Sequence, residues 1–397
     1  MADLVIKPGR EASLLRRHPW IFTGAIAEVH GSPESGETIR VVSSEGQFLA
    51  WAAYSPKSQI IARVWSFQQD DDIDDAFLSN RIVNAIGMRK SILAQTTTDA
   101  IRLVHGESDG LPGLIVDQYG EVVVIQFLTA GTEYWRRAIV DIITKETGAQ
   151  TIYERSDLDV RLLEGLPLRK CLLHGKNPAD KLLIHETGSK FWVDVVNGQK
   201  TGFYIDQRDN RTLVRSYSKG KDILDCFCYT GGFSVNAFAG GASRLHLVDD
   251  SRDALEIAKA NLKENQIEDQ RYSIEKGDVF HVLRLMRDKG KIFDMVILDP
   301  PKFAPTSAYA NKAARGYKDI NLLALKLLVP GGLLVTFSCS SGISEELFQK
   351  IIAGAALDAG VDAQILQRLH QGQDHPVSLV FPEGAYLKGF IVRVGGG

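Results

Sequence analysis

The second half of the chain repeatedly ends short apolar runs in an acid or a thiol, and those groups have the types and spacing of a site for a nucleoside-bearing ligand. The segment Asp222-Ile223-Leu224-Asp225-Cys226-Phe227-Cys228-Tyr229-Thr230-Gly231-Gly232-Phe233 predicts a strand ending near Asp225, then a tight glycine-containing loop that opens a helix. Backbone free of Cβ atoms at a helix start lets a ligand approach closely. The adjacent glycines lack the G-x-G-x-x-G spacing of dinucleotide binders, which argues against nicotinamide or flavin. A second run ends in Asp249, whose carboxylate can accept from both hydroxyls of a ribose. A third leads to Gly277-Asp278-Val279, putting a carboxylate where an exocyclic adenine amine can donate. Asp225 and Asp278 could equally be caps of the helices that follow them.

The fourth run ends in Asp299-Pro300-Pro301-Lys302-Phe303, where two prolines hold the backbone extended beside a carboxylate able to grip a flat heterocycle, or simply terminate the strand. The fifth, Gly331 to Ser341, carries Cys339 at its carboxyl end. A thiol of ordinary pKa near about 8.5 reacts as thiolate, so a nucleophile there needs nearby positive charge or a proton acceptor. The alternative is that Cys339 is a small buried apolar residue. Cys226 and Cys228 are expected to pack, and Cys171 has no expected role.

These groups need a scaffold that brings strand ends to one edge. From about residue 206 the chain alternates strand and helix, the rhythm of a parallel sheet covered by helices on both faces. The expected strands are 222–227, 244–249, 271–275, 293–299, 333–338, 363–369 and 387–394, and the expected helices 207–216, 232–239, 253–265, 279–288, 317–328 and 344–357. Upstream, short apolar stretches separated by turn signals predict a small β-barrel over 1–72. An α+β segment follows over 73–190, with a helix at 76–93, a glycine-rich turn at 106–113 and a helix at 134–147. The α/β domain takes 191–397, with residues 186–196 able to join either side.

With 46 basic and 49 acidic residues among 397, the net charge is −3, so any nucleic-acid site is a local patch. Arg16, Arg17 and His18, next to Trp20 and Phe22, join cations to aromatic rings, the combination that holds phosphate and stacks bases, although in isolation the segment also reads as a solvated basic turn beside a core tryptophan. Lys302, Lys312, Arg315 and Lys318 form a second basic group around an expected mobile loop at 305–314. The stretch from Lys200 to Arg208 could close over a cofactor, and a glycine turn entering a helix explains it equally well. Four irregularly spaced cysteines predict neither a disulfide framework nor a metal site. No apolar run reaches the roughly 20 residues of a membrane span, and no export signal is apparent, so a cytoplasmic protein is expected.

From Arg16-Arg17-His18-Pro19-Trp20 through Gly106-Glu107-Ser108-Asp109-Gly110-Leu111-Pro112-Gly113 and Lys200-Thr201-Gly202 to Tyr386-Leu387-Lys388-Gly389-Phe390, the chain resembles class I S-adenosylmethionine-dependent RNA methyltransferases of the cytosine-C5 type. The resemblance implies an N-terminal PUA domain for RNA, a central α+β domain and a Rossmann-like catalytic domain whose last strand is antiparallel. It implies S-adenosylmethionine bound by Gln207, Arg208, Asp225, Phe227, Tyr229, Gly231, Asp249, Asp278 and Asp299, with Cys339 and Asp299 catalytic. The implied partner is 23S ribosomal RNA or a large-subunit assembly intermediate, acted on by a monomer or homodimer. Many cytosine-C5 enzymes carry a second cysteine after the proline of the fourth-strand motif, whereas this chain has Pro301 and Lys302 there. Two other functions fit the residues: a methyltransferase acting on a purine nitrogen, with Cys339 inert, and a non-catalytic RNA-binding assembly factor.

Overall fold

The computed structural model describes residues 2–94, 96–303 and 310–395. They form two compact units, one of Met1–Ile184, Val193–Ile205 and Gln373–Gly384, the other of His185–Trp192, Asp206–Gly372 and Ala385–Gly397. Residues 373–384, expected with the C-terminal segment, thus belong to the first unit.

In the first unit, β1 (Asp3–Ile6), β2 (Trp20–Phe22), β3 (Ile26–His30), β4 (Thr38–Val42), β5 (Phe48–Tyr54) and β6 (Ile60–Ser66) form a sheet of order β2-β6-β5-β4-β1-β3. Alternate residues such as Ile39 and Val41 point inward to Leu4, Ile6, Ala50 and Val64, the period-two pattern of a half-buried sheet. A second sheet contains β7 (Ala100–His105), β8 (Leu114–Tyr119), β9 (Val122–Phe127), β10 (Thr151–Ser156) and β11 (Arg169–Gly175), in the order β11-β10-β9-β8-β7. Helices Asp75–Leu93 and Arg136–Thr147 bury Leu78, Ile82, Ile139 and Ile143 against it. The helix expected at 134–147 is two helices meeting at Trp135, and β11 was not anticipated because its Arg-Lys-Cys-Leu-Leu-His run is polar and mostly exposed.

The glycine-rich turn at 106–113 is a structural knot. Asp109 accepts from buried Arg89 at 2.7 and 2.8 Å and from the His105 amide at 2.6 Å, while Glu107 accepts from Trp20 Nε1 at 2.8 Å. Asp374 is tied to the same place, its carboxylate accepting from the Arg102 amide and its carbonyl from Arg89.

A hairpin, β12 (Leu182–Glu186) and β13 (Ser189–Val193), carries the chain into the second unit and back. There β14 (Asp222–Cys226), β15 (Arg244–Asp249), β16 (Tyr272–Lys276), β17 (Phe293–Leu298), β18 (Leu328–Ser338), β19 (Ala363–His370) and β20 (Lys388–Val394) form one sheet. Its order is β16-β15-β14-β17-β18-β20-β19, with β14 to β18 parallel and β20 antiparallel to both neighbours. Met295, Val296, Ile297 and Leu298 are all fully buried, as expected of a strand covered on both faces. Strand β18 starts five residues earlier than expected, and a register irregularity opposite Phe293 and Met295 lets it run through Pro330.

The stretch 305–314, expected as a loop, is helical from residue 310. A helix spans Ala310–Lys326, so Lys312 lies on a helix rather than in a loop, with Arg315 on the same helix; alanine, lysine and arginine at 310–315 favour that state. Residues 305–309 lie outside the described residues.

Candidate active site

Parallel β14, β15 and β17 deliver Asp225, Asp249 and Asp299 to one edge of the sheet. Asp249 is the last residue of β15, and Asp299 follows the last residue of β17. After β14 the chain turns through left-handed backbone at Phe227 (φ 59°), Tyr229 (φ 50°) and Gly231 (φ 78°), then enters helix Gly232–Ala239. A Cβ on Gly231 would stand 3.3 Å from Ala258 Cβ and 3.4 Å from Leu247 Cδ2, so glycine serves both the turn and the packing beneath it. The Tyr229 amide donates to Asp249 Oδ2 at 2.8 Å and the Ser251 amide to Oδ1 at 2.9 Å, fixing the carboxylate while each oxygen keeps accepting capacity.

Asp225 is buried. Its Oδ2 accepts from the Ser234 amide at 3.1 Å and hydroxyl at 2.7 Å, and its Oδ1 has no hydrogen-bond partner among the described residues. Burial pushes this carboxyl up to about 7 despite the Ser234 bonds, with Asp299 and Asp249 adding repulsion. Asp278 is exposed, and its Oδ1 accepts from the His281 amide at 2.8 Å, so it caps helix Val279–Asp288. Both acids therefore do have the capping contacts weighed from sequence, and Asp225 keeps an oxygen over.

Asp299 is oriented from behind. Gln207 Nε2 donates to Asp299 Oδ2 at 2.9 Å, and Asn210 Nδ2 in turn donates to Gln207 Oε1 at 2.6 Å and to the His370 carbonyl at 2.9 Å. Gln207 and Arg208 are both almost fully buried at the start of helix Arg208–Ser216, Arg208 Nε lying 3.4 Å from Asp209. Neither Asn210 nor Ser234 was singled out from sequence, since a polar residue one helical turn from a site carries no signal of its own.

Cys339 follows the end of β18. Leu298 pairs with Thr336, so Cys339 stands two residues further along its strand direction than Asp299 does on the neighbouring one. Among the cysteines, Cys226 and Cys228 are buried with thiols pushed well above the ordinary range by burial, Cys171 is exposed and Cys339 is half-buried. The turn after Cys339 is pinned. Ser340 Oγ accepts from the Phe303 amide at 3.1 Å and pairs with the Tyr317 hydroxyl at 3.0 Å, and the carbonyls of Ser340 and Ile343 each accept from Lys388 Nζ at 2.8 Å.

The basic residues divide. Arg16 and Arg17 are exposed, but His18 is spent on intrachain contacts, with Glu383 at 3.3 Å, the Trp20 amide at 3.2 Å and the Phe381 ring. Lys302, Lys312 and Arg315 are exposed, whereas Lys318 pairs with Asp358 at 2.8 Å. Among the described residues no cluster of three or more metal-ligating side chains occurs, and no helix is long and apolar enough to cross a membrane.

Residues 136–376 match the S-adenosylmethionine-dependent methyltransferase family, and residues 4–67 match a PUA-like domain. The chain belongs to the S-adenosylmethionine-dependent methyltransferase family. Relatives of this methyltransferase include proteins named ribosomal RNA large subunit methyltransferase I: one from Shewanella amazonensis, 49% identical with 98% of each chain covered, and one from Yersinia pestis, 48% identical with 98% of this chain and 99% of that one covered. A solved structure complexed with SAH has the same fold at a TM-score of 0.87 and 22% identity, covering 99% of this chain and 100% of that one. As expected of such a methyltransferase, the edge suits S-adenosylmethionine: it presents one buried unpartnered carboxylate oxygen at Asp225, one fixed carboxylate at Asp249 and a tight loop between them.

Proposed function

We propose that this chain methylates C5 of a cytosine in 23S ribosomal RNA, alone or within a large-subunit assembly intermediate, through a covalent adduct of Cys339 at C6. The observation that carries this reading is the delivery of Asp299 and Cys339 to the same edge by neighbouring parallel strands, beside the acids suited to the cofactor. The names of relatives nearly half identical over the full chain support ribosomal RNA as substrate.

Asp249 would hold the ribose hydroxyls, and Asp278 the adenine side. Asp225 and the turn through Phe227, Tyr229 and Gly231 would cradle the rest, with Gln207, Arg208 and Asp299 closing the site. When bound, S-adenosylmethionine supplies an electrophilic methyl group on its sulfonium.

C5 of cytosine is a poor nucleophile until something adds to C6. The Cys339 thiolate forms a C6–S bond, and the displaced electron pair makes C5 nucleophilic. Asp299, kept in place by Gln207, acts in its protonated form: it donates that proton to N3 as negative charge builds there, accepts from the N4 amine, and takes the proton back when the adduct breaks down. Once C5 carries the methyl group, a base removes the C5 proton and the C6–S bond breaks, returning the thiolate. The target base must leave its stack to enter this edge, so unstacked RNA is the expected substrate. Arg16 and Arg17, with Lys302, Lys312 and Arg315, are the exposed cations suited to phosphate.

Cys339→Ala is expected to abolish methyl transfer to unmodified ribosomal RNA while leaving cofactor binding in place. Asp299→Asn should lower turnover by about 100- to 1,000-fold, the usual loss of one charge-stabilising group. Mass mapping of methylated nucleotides with each variant decides the matter: full activity of Cys339→Ala on cytosine would favour an adduct-free reaction, and RNA binding without any transfer would favour a non-catalytic assembly factor.

A further inference from the structure

Lys388 is an unusual residue for its position. It opens β20, directly opposite Ser338 in the antiparallel ladder with β18, and only 6% of it is exposed. Its Nζ donates to the carbonyls of Ser340 and Ile343, both at 2.8 Å, on the turn that begins at Cys339. It forms no ion pair among the described residues. A buried ammonium without a carboxylate is costly, and two neutral carbonyls compensate only part of that cost. Methionine would fill the same volume without it.

We propose that Lys388 is a positioning residue that holds the Cys339 sulfur in its thiolate form, by fixing a positive charge against the turn that carries it. This inference rests on Cys339 being the nucleophile proposed above. The thiol proton leaves to water, and Lys388 keeps its own. The backbone of Lys388 pairs with Ser338 just before Cys339 and its ammonium binds the Ser340 carbonyl just after it, so the residue is fixed on both sides of the cysteine along the chain. The charged and titratable groups around Lys388 are few: Cys339 favours its protonated form, as does Glu345, and Lys302 opposes it. Burial outweighs these and draws the ammonium down to about 8, so it stays mostly charged at neutral pH.

The test is alkylation of the full-length protein with iodoacetamide across acid to alkaline pH, following Cys339 by peptide mass spectrometry. In the wild type the midpoint of reactivity should fall below about 8.5, the ordinary thiol value. Lys388→Met should raise the midpoint by about one pH unit or more, a roughly tenfold loss of rate at neutral pH, and Lys388→Arg should restore it. A role confined to pinning the turn would leave the midpoint where it was. A wild-type midpoint at or above the ordinary value, or no shift in a folded Lys388→Met, overturns the assignment; if that variant fails to fold, Lys388→Gln replaces it. The two proposals fail separately: an active Cys339→Ala removes the nucleophile whatever alkylation shows, while an unmoved midpoint beside an inactive Cys339→Ala removes only Lys388.

Discussion

Asp225 is pulled two ways. Ser234 stabilises its ionised form through two hydrogen bonds, yet burial and the neighbouring Asp299 and Asp249 leave the carboxyl at about 7. A carboxyl raised in the folded state binds its proton there over a range where the unfolded chain has released it. Its contribution to stability is therefore fully present below about pH 4 and is lost as pH rises towards about 7. The full shift sets an upper limit of about 4 kcal/mol on that loss. Asp225→Asn cannot ionise, so in the absence of cofactor the difference in stability between variant and wild type should move in the variant's favour from pH 5 to pH 7.5. Denaturant titrations at the two pH values measure it, and an unchanged difference would mean that Asp225 does not hold its proton.

At the scale of elements, the loop between β14 and its helix is the joint on which the candidate site turns. It takes three left-handed residues within five positions, and glycine at the last of them has both φ 78° and a Cβ direction closed by Ala258 and Leu247. Gly231→Ala should cost about 1–3 kcal/mol in stability through backbone strain and overpacking, and should weaken S-adenosylmethionine binding by displacing the Tyr229 amide from Asp249. Thermal melts with and without cofactor separate the two effects; a variant as stable and as tight as wild type would show that the loop tolerates the side chain. Alternation of strand and helix made this element legible, because a buried parallel strand followed by glycine writes a continuous apolar run and then a break. Helix Ala310–Lys326 is only half legible, since Gly316 separates the helix-favouring residues of its first turns from the apolar positions that mark the rest.

At the scale of the whole molecule, a net charge of −3 means that attraction to RNA has to come from local cations. Arg16 and Arg17 are exposed, whereas His18 is committed to Glu383 and the neighbouring rings. Arg16→Ala with Arg17→Ala should weaken RNA binding and lower the slope of log affinity against log salt by about 1.5, as expected for two lost phosphate contacts. Filter binding across a salt series tests this, and an unaltered slope would take the pair out of the RNA footprint.

Sequence alone determined the order of strands and helices in the methyltransferase unit and the acids at its strand ends, because burial on both faces and the turns between leave local marks in residue type. It also determined Cys339 as a candidate, by its place after an apolar run. Packing at long range sets Gln207 and Asn210 behind Asp299, brings Lys388 to the turn after Cys339 and returns residues 373–384 to the first unit through Asp374. The contacts of Gln207 with Asp299, Lys388 with Ser340 and Arg102 with Asp374 join residues 92, 48 and 272 positions apart, and pairing at such range depends on how the sheets are ordered, which no local pattern of side chains encodes.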